Sequence, residues 1–213
     1  MWNYQTTASD QIYYNPCTGL FLDMGLGKTV STLTAISDLI EMLEVVKVLV
    51  VAPKRVASSV WSAEIDKWDH LRHLSISKVI GSDLQRRAAL AVKADIHIIS
   101  KDNIAWLCGL FGGSMLPFDM LVIDESTAFK NPSSIRFKAL KKVLPSFNRV
   151  VILTGTPAPN GLVDIWSQIF LLDMGERLGK TFGYYKAVYF RPGRRSGDVV
   201  FNYALVDGCS KLI

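Results

Sequence analysis

Apolar residues along this chain fall into two alternating rhythms. Short continuous runs read as strands buried on both faces: Gly19-Leu20-Phe21-Leu22, Val48-Leu49-Val50-Val51-Ala52, Ile96-His97-Ile98-Ile99, Met120-Leu121-Val122-Ile123 and Val150-Val151-Ile152-Leu153. Between them apolar residues recur every three or four positions, the period of a helix with one buried face. Val30, Leu33, Ile36, Leu39, Ile40 and Leu43 are one such series. The pattern predicts helices over 4–14, 29–43, 56–68, 82 or 83 to about 93, 103–110, 133–144 and 161–172. It predicts strands over 18–22, 45–52, 75–80, 95–100, 118–123 and 149–153, with Pro53 and Gly81 as stops and a turn at Gly112-Gly113-Ser114. Strands alternating with helices imply right-handed βαβ units, hence an α/β domain with a mostly parallel sheet flanked by helices. After about residue 173 the rhythm breaks, and 191–198 reads as an exposed basic loop.

Composition changes this picture little. A chain of 213 residues that is 49% hydrophobic and 20% charged has a substantial core. The net charge of +5 permits a nucleic-acid partner without demanding one. The three cysteines, Cys17, Cys108 and Cys209, form no C-x-x-C pair, so free thiols in a reducing compartment are expected. No signal peptide and no membrane span are read, and the expected location is cytoplasmic. His70 and His73 read as a surface pair rather than zinc ligands. The five tryptophans read as core and interface.

The chemistry gathers around Phe21-Leu22-Asp23-Met24-Gly25-Leu26-Gly27-Lys28-Thr29. A strand, a glycine loop and a helix in that order make a phosphate cradle. Gly25 and Gly27 let the backbone turn tightly and aim N–H groups at oxygens, and the following helix points its positive end at the same place. Lys28 is placed to neutralise β/γ-phosphates, and the Thr29 hydroxyl to sit on Mg²⁺. The strict G-x-x-x-x-G-K-[ST] pattern fails, because Leu22 stands where its first glycine would be. What survives, G-x-G-K-T, also occurs by chance.

A second constellation narrows the reading. Asp124 and Glu125 end another apolar run. Adjacent carboxylates at a strand end divide the work of an NTPase, one holding Mg²⁺ and the other orienting and deprotonating the attacking water. Alone they are more readily solvated loop charges or helix caps. Beyond the carboxyl ends of a parallel sheet, where ligands sit, the other strands place Pro53-Lys54-Arg55, Ser100-Lys101-Asp102 and Thr154-Gly155-Thr156-Pro157.

In order and spacing these segments resemble the superfamily 2 helicase and translocase ATPases, nearest to their SWI/SNF-type remodeller branch and its phage and bacterial relatives. Tyr4-Gln5 is similar to the glutamine motif, Leu22–Thr29 to that branch's form of motif I and Ala52-Pro53-Lys54 to motif Ia. The segment from Trp61 to Trp68 follows as in the branch. Asp124-Glu125-Ser126-Thr127 stands at motif II and Leu153–Pro157 at motif III, followed by Asn160, Leu162 and Trp166. Leu172-Asp173-Met174-Gly175, Arg177-Leu178-Gly179 and Tyr189-Phe190 match the segment beyond. The resemblance covers roughly residues 4–190.

It implies a RecA-like P-loop NTPase domain that binds ATP and Mg²⁺ and couples hydrolysis to movement on double-stranded DNA, in a bacterial cell or phage-infected host. Lys28, Asp124 and Glu125 would be catalytic. Gln5, Met24, Gly25, Leu26, Gly27, Lys28, Thr29 and Val30 would bind the nucleotide, with Gln5 reading adenine, and Thr29 and Asp124 would hold the metal. Thr154, Gly155 and Thr156 would couple nucleotide state to DNA. Lys54, Arg55, Ser100 and Lys101 are candidates for backbone phosphates, whereas Lys130, Lys138, Lys141 and Lys142 read as a solvated helix face. Ser126-Thr127 departs from the family's alanine and histidine or aspartate, which leaves the link from motif II to motif III open.

Family motors have two such lobes, the second supplying arginines for the γ-phosphate. Arg191, Arg194 and Arg195 match no such motif. The expected organisation is lobe 1 over residues 1–173, then an extension over 174–213 that begins the connection to a second lobe. A non-catalytic nucleotide-, DNA- or partner-binding module is the other reading. A nucleotide kinase would leave Thr154–Pro157 unexplained.

Overall fold

The structure, a computed structural model, describes residues 1–112, 115–193, 195–196, 199–200, 203–206 and 209. Six strands form one wholly parallel sheet: β1 (Cys17–Phe21), β2 (Val48–Ala52), β3 (Ile76–Val79), β4 (Ile96–Ser100), β5 (Met120–Asp124) and β6 (Arg149–Thr154), in the spatial order β1-β6-β5-β2-β4-β3. The predicted mostly parallel sheet flanked by helices is therefore what the chain builds. Helices precede, separate and follow the strands: α1 (Asn3–Tyr14), α2 (Lys28–Glu41), α3 (Trp61–Lys67), α4 (Asp83–Ala91), α5 (Ile104–Leu110), α6 (Ile135–Val143) and α7 (Ile165–Asp173).

Alternation along each buried strand splits the core in two. On one face Val48, Val50 and Ala52 of β2 pack with Ile96, Ile98, Met120 and Val122 under Ala8, Ile12, Leu33, Ile36 and Leu39 of α1 and α2. On the other, Leu49 and Val51 join Ile99, Leu121, Ile123 and Ile152 under α5, α6 and α7. Arg149 fastens α1 at its C-terminal end. Its guanidinium donates to the carbonyls of Ile12 and Tyr13 at 3.2 and 3.0 Å and meets Glu44 at 2.6 Å.

Several elements differ from the expected ones for local reasons. Residues 45–47 leave the strand because the Asp119 carboxylate accepts the N–H groups of Val46 and Lys47, both at 2.8 Å. The helix expected over 56–68 opens with a π-helical turn, Val56–Val60, before α3 begins. Ser82 caps α4 as predicted, accepting the Gln85 N–H while the Gln85 side chain returns to the Ser82 N–H. An unexpected helix, α8 (Phe182–Tyr189), follows the break in rhythm, capped by Thr181. Leu178, Tyr185 and Phe190 join the α7 side of the core.

The segment expected as a basic loop at 191–198 instead carries extended pairs. Phe190–Pro192 runs antiparallel to Tyr203–Leu205, and Arg195–Ser196 to Val199–Val200. Arg194 lies outside the described residues, as do residues 113–114 of the predicted turn. Among the described residues, no helix is long and apolar enough to cross a membrane. His70 and His73 are exposed, their rings within hydrogen-bond reach of the α2 hydroxyls of Thr34 (3.0 Å) and Ser37 (3.2 Å).

Candidate nucleotide site

Strand register brings the chemistry to one edge. Phe21 pairs with Thr154, Leu153 with Asp124 and Ala52 with Ser100, so the loops beyond these residues emerge side by side. Beyond β1 the chain turns through Gly25 (φ 82°) and Gly27 (φ 75°), both in the left-handed region open to glycine. Gly27 is the residue before α2, and Lys28 is the first residue of that helix. The Lys28 ammonium folds back to donate to the carbonyls of Leu22 at 2.7 Å and Asp23 at 3.0 Å.

Gln5 closes the loop from above. It is buried, its side-chain oxygen accepts the Trp2 N–H at 2.9 Å, and a Cβ on Gly27 would stand 2.2 Å from its amide nitrogen. An opening of about 530 Å³ lies here, between Trp2, Tyr4 and Gln5 on one side and Glu64, Lys67 and Trp68 on the other, with Gly25, Gly27 and Lys28–Val30 at its base. Met24 (81% exposed) and Leu26 are outside this lining; their side chains reach solvent, and what they offer the loop is backbone.

Asp124 ends β5 almost wholly buried, and one of its oxygens, Oδ2, accepts the indole N–H of Trp61 at 3.0 Å. Burial pushes its carboxyl above the usual carboxylate range, and the Glu125 charge adds to this; the Trp61 hydrogen bond, the Glu125 backbone and the Lys28 charge oppose it. Glu125 is half-buried with φ 54° and ψ 58°, a left-handed conformation uncommon outside glycine. Thr29 and Asp124 offer a hydroxyl and a carboxylate, the hard oxygen donors that suit Mg²⁺.

Hydroxyls join the segment after Asp124 to the segment at the end of β6. The Thr127 hydroxyl lies 2.8 Å from that of Thr154 and donates to the Thr156 carbonyl at 3.1 Å, while Thr154 accepts the Thr156 N–H. Buried Ser126 donates to Gln168 at 2.7 Å, and the Gln168 amide donates to the Pro157 carbonyl. The loops after β5 and β6 are thus tied together. Gly155 sits against the phosphate loop, where a Cβ would stand 3.4 Å from the Leu22 carbonyl oxygen.

The four nucleic-acid candidates divide. Lys54 and Arg55 are exposed and Lys101 half-exposed. Ser100 is 2% exposed, and its hydroxyl accepts the Asp102 N–H, although it lines an opening with Lys54, Arg86 and Asn103. Lys130, expected on a solvated face, pairs with Asp164 at 3.2 Å, and Lys141 lies over the Phe170 ring at 4.3 Å.

Sequence reasoning missed Trp61, Trp68 and Gln168 as members of this site. A signal existed for the tryptophans: Trp61, Glu64 and Trp68 fall at the i, i+3, i+7 spacing of one helix face.

Comparison with known proteins fits this geometry. A phage relative, "Putative protein p41" of Acyrthosiphon pisum secondary endosymbiont phage 1, is 40% identical over 181 residues, covering 82% of this chain and 39% of its own length. The "DNA excision repair protein ERCC-6-like" of Bos taurus is 29% identical over 182 residues, 83% of this chain and 14% of that one. Among solved structures, the Sulfolobus solfataricus SWI2/SNF2 ATPase core in complex with dsDNA superposes with a TM-score of 0.74 at 26% identity, over 88% of this chain and 38% of that one. The chain therefore spans well under half the length of these relatives, on the same RecA-like fold. A profile of the SNF2-related domain matches residues 4–186, and the chain belongs to that family.

Proposed function

We propose that this chain is the nucleotide-binding lobe of a DNA-dependent ATPase that couples ATP hydrolysis to movement along duplex DNA. The observation that carries the reading is the joint placement of Gly27 against Gln5, Lys28 at the start of α2 after β1, and buried Asp124 at the same end of the sheet, on β5 with β6 between. The Gly25–Thr29 backbone binds phosphate oxygens, and Lys28 leaves the Leu22 and Asp23 carbonyls to neutralise them. Gln5 borders the base. Thr29 and Asp124 would hold Mg²⁺, which when bound would supply charge neutralisation on the phosphates. Glu125 orients and deprotonates the attacking water.

Lys54, Arg55 and Lys101 contact DNA backbone phosphates, and Thr154, Gly155 and Thr156 pass the state of the nucleotide to that face. Support comes from the family, the dsDNA complex of the archaeal neighbour and the motif II to motif III hydrogen bonds. The working organisation is lobe 1 over 1–173, an extension over 174–213, and a second RecA-like lobe in cis or in trans.

Steady-state ATP hydrolysis with and without double-stranded DNA, alongside Lys28→Ala, tests this. Duplex-stimulated turnover that the variant loses supports it. Nucleotide binding without turnover, lost in Lys28→Ala, supports a half-site that needs its second lobe. Undiminished Mg·ATP binding by Lys28→Ala would overturn the phosphate-loop assignment.

A further inference from the structure

Trp61 is fully buried, and its indole N–H points into the sheet edge to meet Asp124 Oδ2 at 3.0 Å across a gap of 63 residues in sequence. Two features make this more than a satisfied core tryptophan. The chain delivers Trp61 through an irregular element, the π-helical turn Val56–Val60, which ends immediately before it. Such turns recur at functional sites because they re-aim one side chain without breaking the helix. The partner is also the one carboxylate at this edge that is almost wholly withdrawn from water, whereas Glu125 beside it is half-exposed. A buried indole N–H needs some acceptor, and a backbone carbonyl would serve packing equally well. Here it takes one oxygen of a carboxylate, a charge-assisted bond that fixes rotation about the Cβ–Cγ axis.

We propose that Trp61 is a positioning residue for the metal–nucleotide site: its N–H locks the Asp124 carboxylate in the orientation that receives a divalent cation. The proposal rests on the nucleotide reading above. Hydrogen bonds that orient a ligating group change metal affinity by about 10- to 100-fold when removed. Trp61 touches neither substrate nor metal in this role; it acts through Asp124.

The test is the Mg²⁺ dependence of binding of a fluorescent ADP analogue, followed by anisotropy for the whole chain. Trp61→Phe keeps an aromatic ring and removes the N–H. The expected result is a Mg²⁺ midpoint raised at least about tenfold, with binding in EDTA unchanged. A purely structural role predicts the opposite pattern: a lower melting temperature and an unmoved Mg²⁺ midpoint, which overturns the proposal. If Trp61→Phe does not fold, 3-benzothienylalanine at position 61 preserves the bicyclic shape with sulfur in place of N–H, and the same midpoint decides. Wild-type chain that binds no nucleotide with or without Mg²⁺ overturns the nucleotide reading itself. Wild-type chain that binds with a Mg²⁺ dependence shared by both variants overturns only the role of Trp61.

Discussion

Gly27 and Gln5 are in close contact: a Cβ on the glycine would stand 2.2 Å from the glutamine amide nitrogen and 3.1 Å from its side-chain carbonyl carbon, so the glutamine end would have to shift. Gly27 also holds φ 75°, where a Cβ costs about 1–2 kcal/mol. Gly27→Ala is therefore expected to lower the melting temperature by several degrees, about 2–4 °C per kcal/mol for a chain of this size. Gln5→Ala in the same background should return the part due to collision and leave the part due to backbone strain. Equal melting of Gly27→Ala and wild type would contradict the packing described.

The hydroxyl pair Thr127–Thr154 ties the loops after β5 and β6 across a distance of 2.8 Å. Thr154 is fully buried, so Thr154→Val removes the acceptor of the Thr156 N–H as well. A loss of about 1–3 kcal/mol is expected for that variant and less for Thr127→Val. In a double-mutant cycle by urea unfolding, the pair should show a coupling of at least about 0.5 kcal/mol. Strict additivity would mean the link carries no energy.

Duplex binding should separate Lys54 and Arg55 from Ser100. Exposed cations on backbone phosphates give affinity without sequence preference, and each lost contact lowers the salt slope by about 1. Lys54→Ala and Arg55→Ala are expected to weaken binding of unrelated duplexes alike, measured by anisotropy across a salt series. Ser100→Ala, at a position only 2% exposed, should leave the slope at its wild-type value. A slope unmoved by both basic substitutions would remove this face from the DNA path.

His97 predicts a dependence of stability on pH. It is fully buried on β4, its Nε2 faces the Val92 carbonyl at 3.1 Å and its Nδ1 has no partner among the described residues. Burial, aided by the Lys47 charge, lowers its pKa in the folded chain. A depressed value means the folded state favours neutral imidazole, so the contribution is complete above the ordinary value near 6.5 and is lost as pH falls through the folded value. Melting temperature should decline below about pH 6.5, and His97→Gln should narrow its gap from wild type over the same interval. A gap that stays constant from pH 7.5 to 5 would assign the acid sensitivity elsewhere.

The four inner strands, β2, β4, β5 and β6, were legible because they are buried along almost their whole length and so are written as unbroken apolar runs, whereas the edge strands β1 and β3 are only partly buried. Strand ends were less so: Val46 and Lys47 look like strand, and only the Asp119 carboxylate, far along the chain, draws their N–H groups away. The glycine turn that leads into α2 could be read because its glycines, lysine and threonine are contiguous. Trp61 with Asp124, and Ser126 with Gln168, could not be paired in advance, since each depends on how α3 and α7 come to lie against the sheet edge. Helix α8 escaped notice because, of its aromatic residues, only Tyr185 is buried, leaving no clear stripe.

The left-handed backbone of Glu125 has a consequence for anyone improving this domain. The residue is held between Asp124, paired with Leu153 in the sheet, and Ser126, anchored by Gln168, so the conformation is imposed from both sides. Glycine or asparagine would sit there more comfortably. A screen that rewards heat resistance alone would thus drift toward discarding the carboxylate, and with it the group proposed to activate water. Position 125 is one to freeze in any directed-evolution library built on this chain.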